Sequence, residues 1–198
     1  MLQDILNAAT KKNHDELEEL MFVNEIMNKT LSLEQYRVLV ATNYIVHAAV
    51  EEKVHRALSP ELQEKLAVSG RNKLAALEQD LQEMNISKAE LDQVPAEWLK
   101  DGIDSTASAL GAMYVMEGAT LGGHVIQKNL QANPAFKDLK LNYYTVYQKA
   151  LIPNWLSFVE VLNTGIPESG YAAAEQSARQ LFDGIARVSL AVKAAMAA

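Results

Sequence analysis

Between Gly111 and His124 the chain reads Gly-Ala-Met-Tyr-Val-Met-Glu-Gly-Ala-Thr-Leu-Gly-Gly-His, the middle of a long helical pattern in which four positions lack a side chain. Each glycine weakens a helix interior by about 1 kcal/mol relative to alanine, so the fold must need the space those side chains would fill. At about 100° per residue, Gly111, Gly118 and Gly122 fall within roughly 40° of one another and make one bare strip of backbone. Such a strip serves either close packing against a neighbouring helix or a planar ligand lying on it, and the Gly122-Gly123 pair lets the helix kink there.

The rest of the chain carries the same helical period, and no alternating segment is flanked by hairpin turns, so the expected fold class is all-α. A first helix is expected from about Leu2 to Met27, with Leu2, Leu6, Leu17 and Met21 on its apolar side. Ser32 and Gln35 form a capping box that opens a second helix reaching about Ala57. Ser59-Pro60 starts a short helix broken at Gly70, and Arg71 to Glu83 reads as a helix whose mixed charges form a solvated outer face. Ser87 and Glu90 make another capping box. The glycine-bearing helix runs from Asp104 to about Gln131, where Asn133-Pro134 ends it. Pro153 divides or kinks the segment from Leu139 to Leu162, and Tyr171 to Met196 is the closing helix. Met113, Phe22 and Phe158 read as core.

With 198 residues, 49% hydrophobic and 22% charged, and no visible linker, the chain reads as one domain over 1–198. A net charge of −7 argues against general binding of nucleic acid. There is no cysteine, which excludes disulfides, thiolate metal sites and cysteine nucleophiles. No signal-peptide pattern opens the chain and no apolar run is long enough to span a bilayer, so a soluble, cytoplasmic protein without membrane attachment is expected.

Four histidines are candidates for chemistry: His14, His47, His55 and His124. His14 lies at the border of the apolar arc of the first helix, where its ring can face a crevice and offer a nitrogen to a metal. In a regular helix His124 points about 140° from the centre of the glycine strip, away from any ligand there. Glu52 and His55 have the i, i+3 spacing of carboxylate-bridged di-iron bundles, but the chain has no second Glu-x-x-His.

Ala9-Thr10-Lys11-x-x-His14, followed by Tyr114-Val-Met-Glu-Gly118-Ala-Thr-Leu-Gly122-Gly123, resembles the heme oxygenase family, closest to its soluble bacterial, biliverdin-producing branch. The likeness extends through Tyr36–Val54 and Trp155–Leu162 over nearly the whole chain. It implies a helical bundle with a kinked distal helix, and His14 as the metal ligand on the proximal side of heme. Lys11 and Tyr114 are implied beside the cofactor, with Gly118, Gly122 and Gly123 over its distal face and Thr120 helping to hold water. It further implies that heme is both cofactor and substrate, cleaved with O2 to biliverdin, carbon monoxide and ferrous iron. Electrons would come from an electron-donor protein, an external reductant such as a ferredoxin or flavodoxin system, since no flavin or nicotinamide fingerprint is present. The expected assembly is a monomer or homodimer. The chain departs from the family at Ala119, where animal enzymes have an aspartate. It departs also at Asn7, Leu156 and Glu160, where basic residues would meet the heme propionates; Lys11, Lys149, Tyr143 or Tyr144 are candidate substitutes. The competing functions are a noncatalytic heme-binding or heme-sensing module and a di-iron oxygenase of the same fold. A thiaminase-like hydrolase would need the missing cysteine.

Overall fold

The computed structural model describes residues 1–197, and among them all regular structure is helical. The helices are α1 (Leu2–Leu20), α2 (Val23–Met27), α3 (Leu33–Ala57), α4 (Pro60–Lys65), α5 (Leu74–Glu83), α6 (Lys88–Leu91), α7 (Thr106–Gln131), α8 (Asn142–Thr145), α9 (Leu151–Thr164) and α10 (Tyr171–Met196). The three long ones, α3, α7 and α10, pack on one another, and α1 lies along α10. Met113 and Phe158 are fully buried in the core between them, while Phe22 packs at its edge.

The ends of these helices follow from their caps. Ser32 accepts from the Gln35 backbone N–H while the Gln35 side chain accepts from the Ser32 N–H, closing the expected box. Ser59 accepts from Leu62 N–H with Pro60 in the first turn, and Ser105 caps α7 by accepting from Ser108 N–H. The short α6 starts at its Ser87/Glu90 box.

Three expectations change. The first helix does not reach Met27 unbroken: it stops at Leu20, and Phe22 takes a left-handed φ of 58° before α2 begins. A β-unbranched but bulky residue holds that conformation only with help from its surroundings. The help comes from α10, where Lys193 Nζ donates to Leu20 O at 2.6 Å and stands 4.2 Å from the Phe22 ring centroid, a cation placed on the negative end of α1. Helix α4 ends at Lys65 and turns at Ala67, with φ 47°, before Gly70 is reached. Pro153 breaks nothing, because it sits in the first turn of α9 where its missing N–H has no helical partner to lose; the division falls earlier, between α8 and α9.

The largest departure concerns Arg71 to Glu83, read above as a solvated face. Arg71 is 2% exposed, Lys73 0% and Asp80 1%, so three charges of this segment lie inside the protein. Periodicity could not reveal this, because their partners come from distant parts of the chain.

Candidate functional site

The cleft between α1 and α7. These two helices scarcely touch each other, whereas α2, which follows α1, packs on α7. Tyr114 of α7 lies near Thr10 of α1, whose hydroxyl donates to Leu6 O at 2.7 Å. Asn129 of α7 donates to the sulfur of Met27, the last residue of α2, at 3.6 Å. One turn beyond Thr10 on the same side of α1 comes His14, and one turn beyond Tyr114 on the same side of α7 comes Gly118. His14 and Gly118 are thus each one turn beyond the neighbouring Thr10 and Tyr114. Farther along, Met27 and Val125 are each 49% exposed, leaving apolar surface without a partner beside it.

The glycines divide into two groups. A Cβ on Gly111 would lie 2.0 Å from Ala174 O, so this residue lets α7 and α10 pack backbone to backbone. A Cβ on Gly123 would meet the Tyr144 ring at 3.1 Å, again a packing role. At Gly118 and Gly122 it would meet nothing within 4 Å. Helix packing thus explains Gly111 and Gly123, and the bare strip facing open space is the pair Gly118 and Gly122. Helix α7 continues through Gly122-Gly123 to Gln131.

The proximal candidate, His14, keeps 56% of its side chain exposed. Its Nδ1 stands 3.7 Å from Glu18 Oε1, and its ring meets Phe182 of α10 edge-on with centroids 6.0 Å apart. A carboxylate on the Nδ1 side favours the tautomer protonated there, with the lone pair on Nε2. Lys11 is on the rim, 73% exposed and paired with Asp15 at 2.9 Å. Tyr114 is half-buried, and burial raises its hydroxyl pKa, keeping it a neutral donor. Thr120 is buried about 160° round α7 from the strip, and its hydroxyl donates to Glu117 O at 2.7 Å. It is committed to its own helix and does not face the strip. His124 is exposed, Ala119 likewise.

Among the candidates to replace the basic residues, Tyr143 is buried with its hydroxyl 3.4 Å from His47 Nε2, and Tyr144 packs on Gly123. Both are turned into the protein. Lys149 is exposed; Leu156 is 62% exposed, and Glu160 pairs with Lys65 at 2.9 Å. The Glu52/His55 pair does not form a centre: Glu52 is 75% exposed and bound to Arg56, while His55 is half-buried. Among the described residues, the metal-type donors brought together are His14, Asp15 and Glu18, all exposed and within 4.8 Å of one another.

Behind the strip lies a buried polar lattice that the sequence did not disclose. Glu117, 2% exposed, accepts from Arg71 Nη1 at 2.7 Å, Lys73 Nζ at 2.8 Å and the Tyr147 hydroxyl at 2.9 Å. Glu51 Oε2 is 2.8 Å from His47 Nδ1 and accepts from Lys73 N–H at 2.9 Å. Burial alone would raise both carboxyls. For Glu117 the charges of Lys73 and Arg71 outweigh it, for Glu51 the contact with His47, and both end below the usual carboxylate range. Burial lowers His47, so its ring is neutral. Two cations and two anions balance, as an interior at low dielectric demands. The signal available was Glu117 itself, a charge set among Met113, Val115 and Met116 in the apolar middle of α7.

A model of the heme oxygenase family matches residues 1–183. The chain belongs to that family. Heme oxygenase 1 of Nostoc sp. is 34% identical over 80 residues, 40% of this chain and 34% of that protein. The heme oxygenase of Rhodella violacea is 29% identical over 77 residues, 39% of this chain and 33% of that protein. The matched segments span about a third of the length of these relatives. Of solved structures, a heme oxygenase from Neisseria meningitidis superposes with a TM-score of 0.73 at 20% identity, covering 100% of this chain and 92% of the other. Heme oxygenase-1 of the cyanobacterium Synechocystis sp., solved in complex with heme, gives 0.72 at 22%, covering 98% and 91%. The all-α fold expected from periodicity is the fold these proteins have. Among the described residues no helix is long and apolar enough to cross a membrane.

Proposed function

We propose that this chain is a heme-cleaving oxygenase that holds heme between His14 and the strip formed by Gly118 and Gly122. The observation that carries this is the open space beside Gly118 and Gly122 on α7, together with the exposed ring of His14 on α1. The residues fit the group: a histidine donor with a carboxylate behind it, a side-chain-free backbone opposite, and uncovered apolar surface at Met27 and Val125. When bound there, heme supplies the iron at which O2 and external electrons open the ring to biliverdin, carbon monoxide and ferrous iron.

The protein's part is binding, orientation and exclusion. His14 would hold the iron through a ring nitrogen, with Glu18 standing on the Nδ1 side. Gly118 and Gly122 let backbone approach the porphyrin and leave little room besides small diatomics and water. No side-chain acid or base stands on the strip: Ala119 has none to offer, and Thr120 is bonded to Glu117 O. Thr120 and Gly123 act from behind, the first on the helix backbone, the second by seating α7 on Tyr144. Lys11, now paired with Asp15, and the neutral Tyr114 hydroxyl would be the groups available to the anionic heme propionates. The enzyme works as one heme oxygenase-like domain, monomeric or homodimeric, in the cytoplasm, with an electron-donor protein such as a ferredoxin or flavodoxin.

The test is a hemin titration by absorbance of wild type and His14→Ala, followed by addition of reductant and O2. Saturable one-to-one binding with a histidine-ligated spectrum, altered in the variant, and bleaching of the Soret band to a bile-pigment spectrum are expected. Binding with a Soret band that persists would give a heme-binding module instead. No binding by wild type would end the heme reading.

A further inference from the structure

The geometry points to Glu117 as the positioning residue that fixes the glycine strip in place, through a brace of Arg71 and Lys73 reaching from α7 to α9. Glu117 precedes Gly118 directly, and its side chain leaves α7 about 120° from the centre of the strip, into the interior. There the carboxylate takes Arg71, Lys73 and Tyr147 at 2.7, 2.8 and 2.9 Å. Arg71 continues the connection: Nη2 donates to Asn154 O at 3.1 Å and to Ser157 Oγ at 2.8 Å on α9, and Nε donates to Leu66 O at 2.7 Å. Helix α9 in turn holds the first turn of α1, since Gln3 N–H donates to Asn163 Oδ1 at 3.0 Å.

The strip needs such a brace. Its two glycines have no side chains to pack, so at those two positions no side-chain contact on the cleft side resists a shift of α7. Restraint there comes from behind, and charge-assisted bonds in a dry interior are short, directional and costly to break. The lysine and arginine are buried while belonging to no catalytic surface, which a purely structural core would achieve with apolar residues at no loss of stability. The brace's action on the strip stands independently; its action on heme rests on the function proposed above.

Arg71→Lys retains the charge for Glu117 but cannot span to Asn154 and Ser157; Ser157→Ala removes one strut and leaves every charge in place. Hydrogen exchange of the heme-free proteins is the first measurement. Loss of charge-assisted bonds predicts amides 118–124 exchanging about ten- to a hundredfold faster in Arg71→Lys, with α3 and the middle of α10 unchanged and Ser157→Ala intermediate. Then the C–O stretch of carbon monoxide on the ferrous heme complex is recorded, together with the biliverdin isomer ratio. Both should shift, while the histidine-ligated hemin spectrum is retained because His14 shares no partner with Arg71. Equal acceleration in every helix, or none in 118–124, would overturn the brace. Local acceleration with an unmoved C–O stretch would overturn its positioning role. If wild type binds no hemin, the functional reading fails, and the exchange data alone decide on the brace.

Discussion

Replacing single glycines of α7 by alanine separates the two roles assigned to them, with opposite signs. At Gly111 the new methyl would stand 2.0 Å from Ala174 O and 2.7 and 2.8 Å from its C and Cα, where ordinary contact begins at 3.4 Å. The obstacle is backbone, so α7 and α10 must part by well over an ångström along the longest interface in the protein, and overpacking of this kind costs about 1–3 kcal/mol or more. At Gly118 the methyl meets nothing within 4 Å, and alanine is the better helix former by about 0.5–1 kcal/mol. Each kcal/mol moves the melting temperature of a chain this size by roughly 2–4 °C. Thermal unfolding of the heme-free proteins by circular dichroism should therefore place Gly118→Ala above wild type by about 1–4 °C and Gly111→Ala below it by several degrees. In hemin titrations Gly118→Ala should bind more weakly despite being the more stable protein. A neutral Gly111→Ala, or a Gly118→Ala that unfolds earlier than wild type, would refute the division of the strip.

Because His14 is more than half exposed, His14→Ala should change heme-free stability by no more than about 0.5 kcal/mol in urea unfolding while abolishing the histidine-ligated hemin spectrum. Lys73→Met leaves Glu117 with one cation in place of two in a dry interior; breaking such a partnership costs about 3–5 kcal/mol, a melting temperature lower by roughly 6–20 °C. The pH dependence follows from His47 and His55, whose folded values are both lowered by burial from an ordinary 6.5. Below that pH the unfolded chain takes protons that the native rings resist, so stability falls as pH drops through 6.5, and His47→Gln should lessen the fall of the urea midpoint between pH 7 and 5, leaving the part due to His55. Glu117 and Glu51, held below their ordinary range, add a second loss further down, beginning near the unfolded carboxylate value of 4.5 and complete only below their folded values. Lys193→Met should loosen the α1–α2 junction, read as faster exchange of amides 20–24 without a change in α3.

Much of this architecture is local and therefore legible. The capping boxes at Ser32 and Ser87, the Ser59-Pro60 start and the Asn133-Pro134 stop each act through neighbours three or fewer residues away, and each stands where the sequence puts it. The break at Met21-Phe22 was hidden because the residue that stabilises it, Lys193, is 171 positions later. Arg71 and Lys73 were misread for a related reason: a lysine two residues from an arginine is ordinarily surface, and its counter-charge at Glu117 is 44 positions distant. Angular counting found the strip but could not divide it. Gly111 and Gly118 occupy nearly the same side of α7, and only the position of α10 along that helix decides that one is covered and the other open.

The junction at Phe22 bears on how the chain tolerates shortening. The family's recognisable pattern ends at residue 183, yet the ammonium that closes the first helix lies ten residues past that point. A protease cut or stop codon between Gly184 and Val192 would leave His14, the glycines and the Glu117 lattice in the remaining chain. It would take away the fastener at Leu20 and Phe22, and with it the rigid mounting of the histidine's helix. Such a fragment would still be recognised as a member of its family by sequence, while the helix that carries His14 would stand as an unsecured arm.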